Sequence, residues 1–355
     1  MKKLSRIAFQ IIGGANVASV LLMFFIGHAG WVDPTVWPKL SNMGLFFPII
    51  LAINFAFLVF WMLVKPRWVI IPLLGFIVCY GPVRKYFPIN WPKDPPKGCI
   101  KVLSYNVWFY AGWEDRSKPN AILQYIKQQD ADIVCLQESA ENEVGSVQVD
   151  SLLGKASAYK DTAMHKGDCM TIFSKYPILS KEHIRYPSKG NMSCAFKLRM
   201  NHRDVIVINN HLETTGLTLD EKEQFQQMIK GELGGTAVTR TSKWLIRHLA
   251  EQTKKRAPEA DAVARYIAYH RGTPMIVCGD FNDSPLSYAH STIAEGLTDC
   301  YVATGNGPGI SYHKSRMYVR IDNILCTSDF KPYACKVDNS IKNSDHYPIM
   351  CWLKP

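Results

Sequence analysis

Apolar positions fall in long, nearly unbroken runs at the start of the chain and in short, spaced runs from Gly98 onward. Ile7–Ile26 supplies 20 mostly apolar residues and Met43–Val64 supplies 22. Either is long enough to cross a hydrocarbon core, which takes ~20 helical residues. Trp68–Val83 is shorter, 16 residues, and carries Pro72 and Pro82; it reads as a third crossing or as a re-entrant piece. The first run starts behind Lys2, Lys3 and Arg6, yet it is too long for a signal peptide and a second run follows it. Pro88–Lys97 holds four prolines and reads as a stiff linker.

Beyond the linker, short β-type runs alternate with helical stretches. Lys101–Asn106, Asp132–Leu136, Met170–Phe173, Met275–Cys278, Arg320–Cys326 and Pro348–Leu353 read as strands, and Ala195–Arg199 with Val205–Asn209 as a hairpin. Pro119–Gln129 reads as a helix, as does Leu219–Leu233, ended by Gly234-Gly235. A longer helix is expected over Thr241–His270, broken near Pro258, with Arg247, Lys254, Lys255 and Arg256 forming a solvated basic face or a cap that contacts headgroups or substrate. Strands mixed with helices indicate a layered α/β domain with largely antiparallel sheets. The division expected is a membrane anchor over 1–87, a linker over 88–97 and a catalytic domain over 98–355.

Charge refines this picture. The net charge is +11, but residues 1–95 hold nine Lys/Arg against two Asp/Glu, leaving +4 for the rest. Basic residues beside apolar spans suit a membrane surface, so the high charge argues little for nucleic acid. Lys2, Lys3 and Arg6 before the first run, and Lys65 and Arg67 after the second, place both ends on the cytoplasmic side. Three crossings then put the catalytic domain on the outer face, and two would leave it inside; the expectation is three. Ten cysteines show no CxxC or zinc-type spacing, and Cys79, Cys135, Cys278, Cys326 and Cys351 sit in apolar runs, where a thiol behaves as a small hydrophobe.

Several strand-like runs end in chemistry. Asn106 closes Ser104-Tyr105-Asn106, Glu138 closes Leu136-Gln137-Glu138, and His211 closes Asn209-Asn210-His211. Gly279-Asp280-Phe281-Asn282 follows an apolar run, Asp322 lies in Arg320-Ile321-Asp322, and Ser344-Asp345-His346 approaches the C-terminus. Hard divalent cations take few carboxylates and keep room for water and phosphate, which suits Glu138, Asp345 and Asn106 as a metal site. Two imidazoles can divide proton acceptance from charge stabilisation at a phosphodiester. Asp322 is the natural carboxylate to orient His346. Asp280 is placed to orient water and Asn282 to bind a phosphoryl oxygen, with Gly279 permitting close backbone approach. Asp283 reads as a turn cap and Ser284-Pro285 as the start of a helix.

These six strings together resemble the endonuclease/exonuclease/phosphatase superfamily over roughly residues 98–355. The resemblance implies a four-layer αββα sandwich with its site at one end of the paired sheets. It implies Mg2+ or Mn2+ held by Glu138, Asp345 and Asn106, with Asp280 at the water and Asn106, Asn282 and His211 at the phosphate. It further implies a general base at His346 paired with Asp322, a second catalytic imidazole at His211, and Asp168 as the group that orients it. His211, and Trp108 where abasic-site enzymes carry Asp, argue against abasic-site repair. The function expected is a membrane-anchored, metal-dependent phosphoesterase using in-line water attack. Its partners are a lipid bilayer and a phosphate ester, either a lipid headgroup, a nucleic acid or a small phosphodiester. A non-specific nuclease and a non-catalytic membrane-bound binding module are the alternatives. Specificity is expected in Trp108–Trp113, His165–Gly167, Pro187–Met192, Tyr312–Arg316 and the helical stretch before Met275.

Overall fold

A computed structural model describes residues 2–113, 119–142, 144–154 and 157–355. Two six-stranded sheets form the centre. The first has the order β11-β12-β1-β2-β4-β3 and the second β5-β6-β7-β8-β10-β9. In chain order the first sheet contains β1 (Ile100–Asn106), β2 (Ile133–Gln137), β3 (Tyr159–His165), β4 (Asp168–Ser174), β11 (Lys331–Val337) and β12 (Ile349–Lys354). The second contains β5 (Ile178–Ile184), β6 (Met192–Met200), β7 (Arg203–His211), β8 (Met275–Asp280), β9 (Thr298–Asp299) and β10 (Asp322–Cys326). Each sheet has one parallel pair, β1 with β2 and β7 with β8, and is otherwise antiparallel.

The strand runs are apolar on both faces because both faces are covered. Val102, Ile133, Cys135, Val207, Ile276, Cys278 and Ile324 point between the sheets into one shared core. Their neighbours Leu103, Tyr105, Val134 and Leu136 pack outward under the helix Ala121–Gln129. On the second sheet Ile206, Ile208, Met275 and Val277 pack under the helix Gly235–Tyr269. Helices outside two packed sheets make the αββα sandwich. β3, β5 and β11 escape a sequence reading because they are mostly polar and half exposed.

Three expectations change. Gly235–Tyr269 is one 35-residue helix with Pro258 inside it, not a broken one. The lost hydrogen bond costs ~3 kcal/mol, but Ala257, Ala260 and Val263 are buried against the sheet on either side of Pro258 and hold the turn. The preceding helix ends earlier than expected, Leu219–Lys230, at Gly231 with φ 73°, while Gly234 starts the next helix. The helix after Asp283 begins at Tyr288, capped by Ser287 rather than opened by Ser284-Pro285. Asp283 does accept from the Ser284 backbone N–H, but it also ion-pairs with Arg256. Arg256 is therefore buried, not part of a solvated basic face.

The first 86 residues contain the helices Lys2–Gly27, Phe47–Val64, Ile70–Val78 and Tyr80–Tyr86. Two stretches, Arg6–Gly27 and Pro38–Val64, are long and apolar enough to cross a membrane, and the third pair of helices is bent by 70°. A polar chain links the first two helices. Trp61 donates to Asn16, Ser19 donates to Asn54, and Asn54 donates back to the Ser19 carbonyl, at 3.0–3.1 Å. Such bonds fix helix pairs where apolar contact alone gives little preference. The proline-rich linker is not free. Asn90 bonds to Asn306, Val302 and Gly305, and Pro88 accepts from Gly307. All ten cysteines are free thiols, and all but Cys99 are buried.

Candidate active site

Parallel pairing explains why the strand ends converge. In a parallel pair both C-termini reach the same edge, and the register sets Asn106 beside Gln137 and His211 beside Asp280. β10 runs antiparallel to β8, so it starts at that edge with Asp322 opposite Asp280. β12 runs antiparallel to β1 with Ile349 opposite Ser104, which carries Ser344–His346 past the end of β1. The two sheets are pinned to each other just below this rim. Gln137 donates to Asn209 at 2.6 Å, and Asn209 donates to the Leu136 carbonyl at 3.0 Å. These two buried side chains belong to the quoted strings but were assigned no role there.

Backbone geometry aims the side chains. Glu138 and Asn282, just past the ends of β2 and β8, take φ 50° and 51°, so the chain turns sharply as each strand stops. Gly279 has φ 124°, and a Cβ there would stand 2.1 Å from the Asn210 carbonyl oxygen on β7. Only glycine fits.

Every predicted residue reaches the rim. His346 Nδ1 lies 2.8 Å from Asp322 Oδ2, and its Nε2 lies 3.6 Å from Asp280 Oδ2. His211 Nδ1 lies 2.9 Å from Asp168 Oδ2, and its Nε2 lies 3.6 Å from Glu138 Oε1 and 4.0 Å from Asp280 Oδ2. Asn106 Nδ2 donates to Glu138 Oε1 at 3.1 Å and to Asp280 Oδ2 at 3.2 Å. Its Oδ1 accepts from the Trp108 N–H at 3.1 Å, so Asn106 ties two carboxylates together and turns its nitrogen to them. Asn282 Nδ2 donates to the Leu212 carbonyl at 2.9 Å and to Asp280 Oδ2 at 3.3 Å. Asp345 lines the same cavity as Glu138, and Ser344 fixes its approach by donating to the Asn106 carbonyl at 2.8 Å.

Burial pushes both imidazoles towards the neutral form, but their carboxylates outweigh it. Asp168, Glu138 and Asp280 raise His211 to about 10, and Asp322, Asp280 and Asp345 raise His346 to about 10. Burial raises Asp280 to about 6, with Asp322 adding to it and the two imidazoles opposing. Tyr312, unnoticed in the sequence except as part of a loop, pairs with the His346 backbone and sets its ring 5.1 Å from the imidazole.

Two donor groups fit a cation differently. Asp280, Asp322 and His346 have ligand atoms within 4.8 Å of one another, but His346 and Asp322 are already joined by a hydrogen bond. Glu138 and Asp345 are half-exposed on the open cavity, and separate oxygen donors facing solvent suit a hard cation that keeps its waters.

A family model described as the endonuclease/exonuclease/phosphatase family matches residues 103–346. The chain belongs to that family. A second model, described only as a domain of unknown function, matches residues 9–86. The CCR4-Not complex 3'-5'-exoribonuclease subunit Ccr4 of Aspergillus clavatus is 26% identical over 291 residues, 65% of this chain and 42% of that protein. The Aspergillus fumigatus counterpart matches at the same identity, with 40% of its length covered. The chain thus spans well under half of the curated relatives it matches. Among solved structures, truncated TDP2 of Caenorhabditis elegans has a TM-score of 0.51 at 15% identity, covering 74% of this chain and 100% of that one. An endonuclease/exonuclease/phosphatase from Beutenbergia cavernae has a TM-score of 0.51 at 18% identity, covering 72% and 71%. These structures show the family's fold. Family membership makes the chain a hydrolase acting on phosphate esters.

Proposed function

We propose that this family member is a membrane-anchored, divalent-metal-dependent phosphoesterase that hydrolyses its substrate by in-line attack of water. The observation that carries the reading is the pair of carboxylate–imidazole couples, Asp322–His346 and Asp168–His211, both turned to Asp280. In the neutral form that a general base requires, and which the neighbouring carboxylates oppose, Asp322 holds the proton of His346 on Nδ1, which leaves Nε2 as the acceptor. The 3.6 Å gap between that Nε2 and Asp280 Oδ2 is wide for a direct bond and suits a bridging water. Asp280 orients this water and His346 removes its proton. His211, held charged by Asp168, donates to the phosphoryl oxygens, and Asn282 joins it by exchanging its 3.3 Å contact with Asp280 for a phosphoryl oxygen. Glu138 and Asp345 are the residues that would hold Mg2+ or Mn2+, with Asn106 keeping Glu138 in place. When bound, the cation neutralises charge on the phosphoryl and leaving oxygens and offsets the carboxylates that hold His346 high.

The test uses purified full chain and bis-p-nitrophenyl phosphate. Release of p-nitrophenol should need added Mg2+ or Mn2+ and stop with EDTA. Glu138→Gln should raise the metal concentration needed for half-activity by about tenfold or more. Full activity in the chelated protein would refute the reading. The similarity to an exoribonuclease subunit favours a nuclease as second reading. Cleavage of RNA that weakens steeply with rising salt would support it.

The three apolar segments support three crossings. A Cβ at Gly13 would strike the Trp68 ring, Gly75 abuts Val20, and Gly27 abuts Pro82. The chain separation is the same in all three pairs, so the third segment climbs alongside the first. Lys65 sits over the Phe9 ring at one end of this bundle, while Phe47, Tyr86 and Leu286 meet at the other. The catalytic domain therefore docks at the end away from Arg6. A C-terminal reporter that is active only outside the cytoplasm should be active on this chain. A silent reporter on a folded fusion would reverse the orientation.

A further inference from the structure

The cavity over the active-site rim does not stop at the polar groups. Its volume is ≈ 730 Å³, and it runs from Glu138, Asp345 and His346 to Phe46 and Ile49 at the entry of the second apolar helix. The opposite wall is built by the helices Leu219–Lys230 and Gly235–Tyr269, through Phe225, Ile229, Leu245 and Ile246. Ile229 is 55% exposed and Ile246 41%, and on the facing wall Ile49 is 57% exposed. Large aliphatic side chains facing one another across a concavity stay in contact with water unless something apolar enters.

The candidate catalytic groups form one part of this lining, alongside polar Asn42, Ser242, Thr253 and the Arg256–Asp283 pair. Beside the catalytic groups Lys222 donates to the Tyr312 hydroxyl at 3.1 Å, and the Tyr312 ring lies 5.1 Å from His346. A basic side chain thus stands where the apolar walls give way to the carboxylate rim. A mostly apolar cavity that also carries the carboxylate and imidazole groups of the rim is complementary to an amphiphile. One of its walls is continuous with a helix apolar enough to cross a membrane. A nucleic acid strand in the same space would set its phosphates against Phe46 and Ile49.

Resting on the phosphoesterase reading above, we propose that the substrate is a long-chain phosphate ester drawn from the bilayer. Its tail lies between Ile49 and the Ile229–Ile246 wall, and its phosphate reaches Asp280 and His346. Phe46, Pro48 and Ile49 on the cavity wall belong to the second apolar stretch, so the lipid is placed to enter along that helix.

The test uses full chain in lipid nanodiscs and three p-nitrophenyl phosphodiesters bearing methyl, octyl and hexadecyl tails. Metal-dependent hydrolysis per unit of ester should rise at least ~tenfold from methyl to hexadecyl, because several methylenes are buried. Ile246→Trp fills the gallery and should abolish most of that rise, while Ile246→Ala should retain it. Since Ile246 is partly exposed, both variants should melt with the wild type, and melting is measured alongside. Equal rates for all three tails, or a tail preference that survives Ile246→Trp, would overturn the gallery and leave phosphoester hydrolysis standing. Hydrolysis of RNA in preference to every tailed ester would also overturn it. Metal-dependent release from none of the three esters would sink the phosphoesterase reading and the gallery with it.

Discussion

His346→Ala is expected to lower turnover of bis-p-nitrophenyl phosphate by at least ~10²-fold at saturating metal. The imidazole Nε2 faces Asp280 at 3.6 Å, nearer than the 4.0 Å of His211, while its other nitrogen is fixed by Asp322 at 2.8 Å. Removing it leaves Asp322 buried, with Oδ1 already lacking a partner, so part of any loss could be structural. His346→Gln separates the two effects. Its amide can donate to Asp322 but cannot take a proton from water, so it should recover the melting temperature without recovering turnover. Asp322→Asn should also lower turnover, because the imidazole would lose its tautomer-fixing acceptor. Wild-type turnover in His346→Ala would remove this residue from the chemistry.

Gly279→Ala is expected to cost about 3 kcal/mol of stability or more, and to abolish activity in whatever protein folds. Two effects add. A φ of 124° is one that a residue with a Cβ rarely adopts, and the new atom would stand 2.1 Å from the Asn210 oxygen and 2.6 Å from its nitrogen. Both are backbone atoms of the paired strand, with Asn210 opposite Gly279, so no rotamer change relieves the contact. The strands must separate, and the next residue on each is a member of the site, His211 and Asp280. Thermal unfolding of the full chain measures the effect. Gly14→Ala is the control, since nothing lies within 4 Å of its added Cβ, and it should be neutral or mildly stabilising. A Gly279→Ala protein that melts with the wild type would show that β7 and β8 do not pair in this register.

The candidate strings were legible because each lies at or beside one end of a buried strand, and a short apolar run bordered by a carboxylate, amide or imidazole is visible without any fold. The two long apolar runs were legible for a similar reason, since hydropathy alone measures their length. The edge strands β3, β5 and β11 were not. Their sequences, such as Ile178–Ile184, are polar and exposed, and only pairing with a neighbour makes them strands. Pro258 misled for the opposite reason. Local propensity forecasts a break, and burial of the surrounding turns overrides it. Arg256 likewise reads as surface charge until the helix is laid across Asp283.

The sequence by itself determined which candidate side chains the rim could carry, because side-chain identity decides which groups are able to bind cations or move protons. It also determined that apolar segments of crossing length precede that chemistry. Only the tertiary structure decided which carboxylate serves which imidazole, since the partners lie up to 43 residues apart along the chain and meet where the two sheets pack against each other. It alone set an apolar gallery beside the rim, because its walls come from three separate segments whose exposed faces acquire meaning when they face one another.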